Sequence, residues 1–169
     1  MTQEEKKISE GNLIISKYRG AKLVETYLNE KKEVDHYLMD FGQKEDYPDN
    51  CRYHKIGATT TMKYHESFNW IMPVINDMLK IKNPRESSMF QLKISTNIIV
   101  ICFNNSDYWD DIDNNEEYTY VGACHLNEPI KKNTEHEPWS TEPVTTIEKA
   151  LWVVALEFIN WLECEELYK

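Results

Sequence analysis

Glycine is scarce in this 169-residue chain. Gly11, Gly20, Gly42, Gly57 and Gly122 stand too far apart for a P-loop or a dinucleotide-binding fingerprint, both of which need glycines clustered at a strand-to-helix turn. The G-x-S-x-G elbow of serine hydrolases and the H-E-x-x-H helix of zinc proteases are also missing. No apolar run reaches the roughly 18–20 residues that a membrane-spanning helix needs. The opening MTQEEKKISEGN has neither an apolar core nor a small-residue cleavage site, so a secretory signal is not expected. Cysteine is sparse and scattered, at Cys51, Cys102, Cys124 and Cys164, which suits a reducing cytoplasm better than a disulfide scaffold.

Acidic charge, by contrast, is in excess. Against 19 Lys and Arg stand 29 Asp and Glu, leaving −10 and a pI near 5.0, which disfavours a general nucleic-acid binder. The excess is lopsided: residues 1–93 balance at +1, whereas residues 94–169 carry −11. Its densest stretch runs from Asp107 to Glu117, with six acids and no base. Charges so close repel unless water, a cation or a basic partner screens them. A solvated loop satisfies that requirement, and so does a docking surface for a basic groove. Tyr108 and Trp109 (with Tyr118 just beyond) favour docking, because aromatics beside charge serve as interface anchors. The candidate contact residues are Asp107, Tyr108, Trp109, Asp110, Asp111, Asp113, Glu116 and Glu117.

With 41% hydrophobic residues, no internal repeat and no linker-like stretch, the chain is expected to form a single domain over residues 1–169. Ser9 is a candidate cap for a short helix through Leu13, Ile14, Ile15 and Tyr18, with Gly20 as its stop. Leu23–Leu28 and Val34–Phe41 read as strands around a polar turn at residues 29–33, and a short strand is expected within Tyr53–Met62. The stretch Gly42–Asn50 is polar and reads as a loop. Phe68, Ile71, Met72, Ile75, Met78 and Leu79 then recur at helical spacing, with Pro73 kinking the helix or delaying its start. From Phe90 to Cys102 alternation predicts one long strand or two paired ones, and Tyr118–Leu126 a further strand.

The last helix carries the clearest signals. Thr145 and Glu148 fit a capping box. Ile147, Ala150, Leu151, Val154, Phe158, Trp161 and Leu162 line one face, while Trp152, Val153, Leu156 and Ile159 make the other side apolar too. A helix hydrophobic nearly all round is buried on both sides or lies beneath a partner, so an oligomer interface through residues 146–162 is an open alternative. The fold class expected is α+β, a mostly antiparallel sheet packed against two long helices plus a short N-terminal one.

Chemistry-bearing residues form no recognisable constellation. Asp111-x-Asp113-x-Asn115 begins like a calcium loop, but Glu116 replaces the required glycine and Gly122 the bidentate carboxylate. Cys51-x-x-His54 with Cys124-His125 offers zinc-type donors, although neighbours on a strand point to opposite faces. His65-Glu66 and His136-Glu137 are adjacent pairs that do not face each other on a helix. Cys102 and Cys164 have apolar neighbours and read as core. No cofactor and no metal is expected.

The segment Tyr64-His-Glu-Ser-Phe-Asn-Trp-Ile-Met-Pro-Val-Ile75 resembles a Y-H-x-S-W-[DN]-W-L-M-P-V-V motif of uncharacterised small proteins from phages and mobile elements. Asn12-Leu-Ile-Ile-Ser-Lys-Tyr-Arg-Gly20 and Val153-Val-Ala-Leu-Glu-Phe-Ile-Asn-Trp161 are similar to their opening and closing helices. The same central segment reads as packing in preference to a binding site, because most of its residues are large and apolar, with Tyr64, Trp70, Met72 and Pro73 fixing a kinked helix on the sheet and His65 and Ser67 capping its start. The resemblance brings no known activity with it. A phage origin taken together with the acidic half leads to the expectation of a non-catalytic inhibitor of a basic host or immune-effector protein in the bacterial cytoplasm, most concretely an anti-CRISPR-type protein acting on an RNA-guided nuclease. The alternatives are a small hydrolytic or metal-assisted enzyme using His54, His65 or His125, and a self-associating accessory phage protein.

Overall fold

The computed structural model describes residues 1–42, 56–82, 89–95, 98–104, 118–126 and 144–164. The element order is α1 (Gln3–Tyr18), β1 (Lys22–Leu28), β2 (Val34–Asp40), β3 (Ile56–Ala58), a 3-10 turn (Thr59–Thr61), α2 (Phe68–Leu79), β4 (Gln91–Ile94), β5 (Ile98–Asn104), β6 (Tyr118–His125) and α3 (Ile147–Cys164). The chain is α+β, but among the described residues its strands form two sheets instead of the one expected. Both are antiparallel and three-stranded, in the orders β1-β2-β3 and β4-β5-β6. Alternation within a strand fixes which residues share a face and says nothing about which strands will pair.

Several helix ends differ from expectation for identifiable reasons. The first helix begins at Gln3, because Thr2 and Glu5 form a reciprocal capping box: the Glu5 amide donates to Thr2 Oγ1 at 3.2 Å and the Thr2 amide to Glu5 Oε2 at 2.6 Å. Ser9 is therefore not a cap but a buried mid-helix residue. Gly20, at φ 82°, takes the left-handed conformation just beyond the helix. In α3 the capping side chain is Thr146, which accepts from the Lys149 amide at 3.2 Å, rather than Thr145. The helix α2 starts at Phe68 and runs through Pro73, while Ser67 at its N-cap makes no side-chain capping bond.

The strands follow the same logic. Only Ile56–Ala58 of the expected Tyr53–Met62 strand is paired as a strand among the described residues, and the three threonines turn into the 3-10 segment. Between Phe90 and Cys102 the paired alternative holds, with Ile94 opposite Ile99 in an antiparallel hairpin. The β1–β2 connection is closed by Asn29, whose Oδ1 accepts from the Lys31 and Glu33 amides at 2.9 and 3.0 Å. Lys32 sits there at φ 63°, the left-handed position that follows a tight turn in three-residue hairpins.

The apolar side chains gather into one cluster with α3 at its centre. Every residue from Ala150 to Leu156 is buried, so the all-round hydrophobicity of this helix is satisfied within the chain. It packs on β5 and β6, on α2 and on α1, while α1 in turn carries β1, β2 and the 3-10 turn. Two glycines permit the closest of these approaches. A methyl group at Gly122 of β6 would stand 2.6 Å from the Val154 carbonyl oxygen, and one at Gly11 of α1 would intrude on the Trp152 indole. Ile147 and Phe68, both expected on apolar faces, are exposed instead.

Gly122→Ala is expected to lower stability by about 1–3 kcal/mol, because the obstructing atom belongs to helix backbone that cannot rotate away. Gly11→Ala should also destabilise, since the ring overlap outweighs the gain of roughly 0.5–1 kcal/mol that alanine brings to a helix interior. Urea unfolding of both variants checks these signs.

Candidate interaction site

Polar residues inside this core are tied to each other. Asn12, fully buried on α1, donates from Nδ2 to the carbonyls of Thr59 at 2.9 Å and Met62 at 3.1 Å. Its Oδ1 accepts from Trp152 Nε1 at 3.2 Å. Ser9 and Thr59 share a hydroxyl contact of 2.5 Å, Thr59 Oγ1 accepts from the Tyr37 amide, and the Ser16 hydroxyl lies 3.2 Å from Met62 Sδ. These spacings (9, 12, 16) place all three α1 side chains on one face. The 3-10 turn is thus held by side chains where backbone pairing ends, and its function is structural. The Arg19 guanidinium, also buried, bonds Asp77 and the Pro73 carbonyl, pinning the end of α1 to α2.

The histidines expected near an active site behave differently from one another. His65 packs edge-on against Trp152, with ring centroids 6.3 Å apart, and its Nδ1 is buried without a hydrogen-bond partner among the described residues. Its Nε2 stands 4.0 Å from Glu66 Oε2, beyond hydrogen-bond range, so the adjacent pair is no dyad. Nearby, Lys149 at the start of α3 bonds Glu4 of α1 at 2.9 Å. Burial is the main influence on His65 and lowers its pKa, which Glu66 partly offsets. The imidazole is therefore held neutral, with one nitrogen out of reach of any solvent-borne substrate.

On β6, Cys124 is buried and His125 exposed, so the two do point to opposite sides. Burial pushes the Cys124 thiol up to about 12, which makes it a poor thiolate donor for a metal. Cys51, His54 and His136 lie outside the described residues. Among the described residues, no group of three or more His, Cys, Asp or Glu is placed to hold a metal ion. Cys102 is core, as its neighbours implied, and burial raises its pKa. Cys164 is a correction: at the last residue of α3 it falls on the exposed side.

The candidate docking residues Asp107, Tyr108, Trp109, Asp110, Asp111, Asp113, Glu116 and Glu117 lie outside the described residues. Their segment joins β5 to β6, and the residues flanking it, Asn104 and Tyr118, are paired partners. Asn104 and Tyr118 therefore lie at the same end of the second sheet.

A surface not anticipated from the sequence lies at the opposite sheet. All seven residues of β1 are exposed, and it forms the outer edge of β1-β2-β3. Leu23 (45% exposed), Val24 (51%), Tyr27 (39%) and Leu28 (56%) make most of it apolar. Tyr27 stacks on His36 of β2 at 4.6 Å between centroids, and its phenol is raised in pKa by the hydrogen bond to Glu25. The available signal was the apolar doublets at each end of Leu-Val-Glu-Thr-Tyr-Leu, which depart from the strict alternation of a half-buried strand.

Comparison with known proteins finds no matching family model, no matching curated protein and no matching solved structure. No helix among the described residues is long and apolar enough to cross a membrane.

The lowered pKa of His65 gives a signed expectation. An unfolded chain takes up a proton at this residue near its ordinary value of 6.5, whereas the folded chain resists it. The stabilisation is present above that pH and is lost as pH falls through the folded-state value. His65→Phe, which keeps a ring against Trp152, should therefore lose less melting temperature than the wild type between pH 8 and pH 5.5. Titration of the remaining groups is common to both proteins and cancels in the difference.

Proposed function

We propose that the chain is a non-catalytic protein-binding module whose acidic C-terminal portion engages a basic partner. The observation that carries this reading is the concentration of −11 in residues 94–169, against +1 in residues 1–93. Six acids within Asp107–Glu117, interleaved with Tyr108 and Trp109, match the requirements of a charge-guided contact: long-range attraction from the carboxylates and buried area from the rings. Clefts that bind nucleic acid present the complementary positive field. The partner class that fits is a basic nucleic-acid-binding effector, with an RNA-guided nuclease as the concrete case, and the chain would block it by occupying the groove. The phage-type resemblance of Tyr64–Ile75 supports an anti-defence role in a bacterial cytoplasm.

The test is competition between this protein and DNA for a guide-loaded nuclease, followed by electrophoretic mobility across a range of salt. The wild type is expected to displace DNA, less well as salt rises. Replacing the six acids of 107–117 by their amides should weaken displacement by about tenfold, since a surface ion pair contributes about 0.2–1 kcal/mol. It should also flatten the salt dependence. Equal potency of the two proteins would remove the acidic segment from the mechanism.

A further inference from the structure

Three elements meet around His65. The residue belongs to the turn that precedes α2, and its ring rests against Trp152 of α3. One helical turn earlier on α3, Lys149 reaches across to Glu4 in the first turn of α1 and bonds its Oε1 at 2.9 Å. Residues three apart on a helix share a face, so Lys149 and Trp152 are neighbours on the same side of α3. The charges that act on His65 come from all three elements: Glu66 and Lys63 from its own turn, Glu4 from α1 and Lys149 from α3. Glu4, Lys149 and His65 are mostly buried, whereas Lys63 and Glu66 are about half exposed and pair with each other at 3.3 Å.

Two atoms at this junction are left over. Oε2 of Glu4 and Nδ1 of His65 are both buried, and neither has a hydrogen-bond partner among the described residues. Buried polar atoms are seldom left so, because nothing replaces the water they have given up. The two are complementary. One is the free half of a carboxylate, which only accepts, and the other becomes a donor whenever the imidazole is protonated.

We propose that His65, Glu4 and Lys149 form a pH-operated clasp: on taking up a proton from solvent, His65 donates from Nδ1 to the free Oε2 of Glu4, while Glu4 keeps Lys149 on Oε1. The carboxylate then bridges two cations and ties the first turns of α1 and α3 to the turn before α2. With the imidazole neutral, Glu4 joins only α1 and α3. Glu66 is unsuited to the same task, since it is open to water, already engaged by Lys63, and nearer the other ring nitrogen at 4.0 Å. Burial still opposes the charged ring, so the clasp offsets part of that cost and the midpoint of His65 stays below its ordinary value of 6.5. Stability is still lost on acidification, and Glu4 makes the loss smaller.

Histidine NMR titration of the full chain from about pH 8 to 4.5 tests the proposal, the His65 signals being those absent from His65→Phe. Glu4→Gln is expected to lower the His65 midpoint by about one unit, a tenfold loss of proton affinity, and Glu66→Gln by less than half of that. In the arrangement with Glu4 on Lys149 alone, Glu66 acts on His65 more strongly than Glu4 does. The reverse ranking therefore requires Glu4 to close on the protonated ring. A measurement on the wild type alone holds even if Glu4→Gln folds poorly: at acid pH the Nδ1 proton of His65 should be shielded from exchange with water. An effect of Glu66→Gln that equals or exceeds that of Glu4→Gln overturns the proposal. So does a protonated His65 whose Nδ1 proton exchanges freely, which would mean that the ring turns out to solvent and not toward Glu4.

Discussion

The burial of α3 on all sides is the constraint around which the molecule is arranged. A helix whose residues 150–156 are all buried must be surrounded, and one sheet can cover only one of its sides. Here β5 and β6 cover one side while α1 and α2 cover others. The approach is close at two points, where Gly122 admits the Val154 carbonyl and Gly11 admits the Trp152 ring. Side chains larger than hydrogen at either position would push a neighbouring element outward. The first sheet reaches this centre indirectly, through α1 and the Asn12 network that ties α1 to the 3-10 turn and to Trp152.

This arrangement places chemistry-bearing residues of the described core in structural roles. Asn12, Ser9, Ser16 and Thr59 satisfy each other where regular backbone pairing stops, and Arg19 joins two helix ends. His65 is packed against Trp152 and kept neutral by burial. Two features are left for recognition. One is the acidic run Asp107–Glu117, which lies between β5 and β6 in sequence, and the other is the exposed, largely apolar strand β1. The first suits long-range attraction to a basic surface.

Much of the local structure was legible in the sequence. The periodicity of α2, the apolar breadth of α3, the two alternatives for Phe90–Cys102 and the strands at β1, β2 and β6 all follow from side-chain pattern. Errors arose where two local signals compete. Ser9 has the chemistry of a cap, yet Thr2 with Glu5 supplies a better one earlier, and Ser9 is then drawn inward by Thr59. Thr59, Thr60 and Thr61 favour extended backbone, but the tertiary bonds of Asn12 fix a turn there. Cys164 follows an apolar helix face by proximity in sequence, while its position at the last turn directs it to solvent. The division of six strands into two sheets was not legible, because strand pairing depends on distant contacts that leave no periodic trace. The β1 edge was legible only in part: its apolar doublets are visible, but exposure of every residue along the strand is a property of the assembled fold.

Native-state hydrogen exchange followed by mass spectrometry, comparing wild type with Gly122→Ala, tests most directly whether α3 unites the two halves. If it does, peptides from residues 150–156 exchange only through global unfolding, and the substitution lowers the protection of β2, β5 and α3 together by the same free energy. Loss of protection confined to β4, β5 and β6, with α1 and β2 unaffected, would show two independent units and contradict the account.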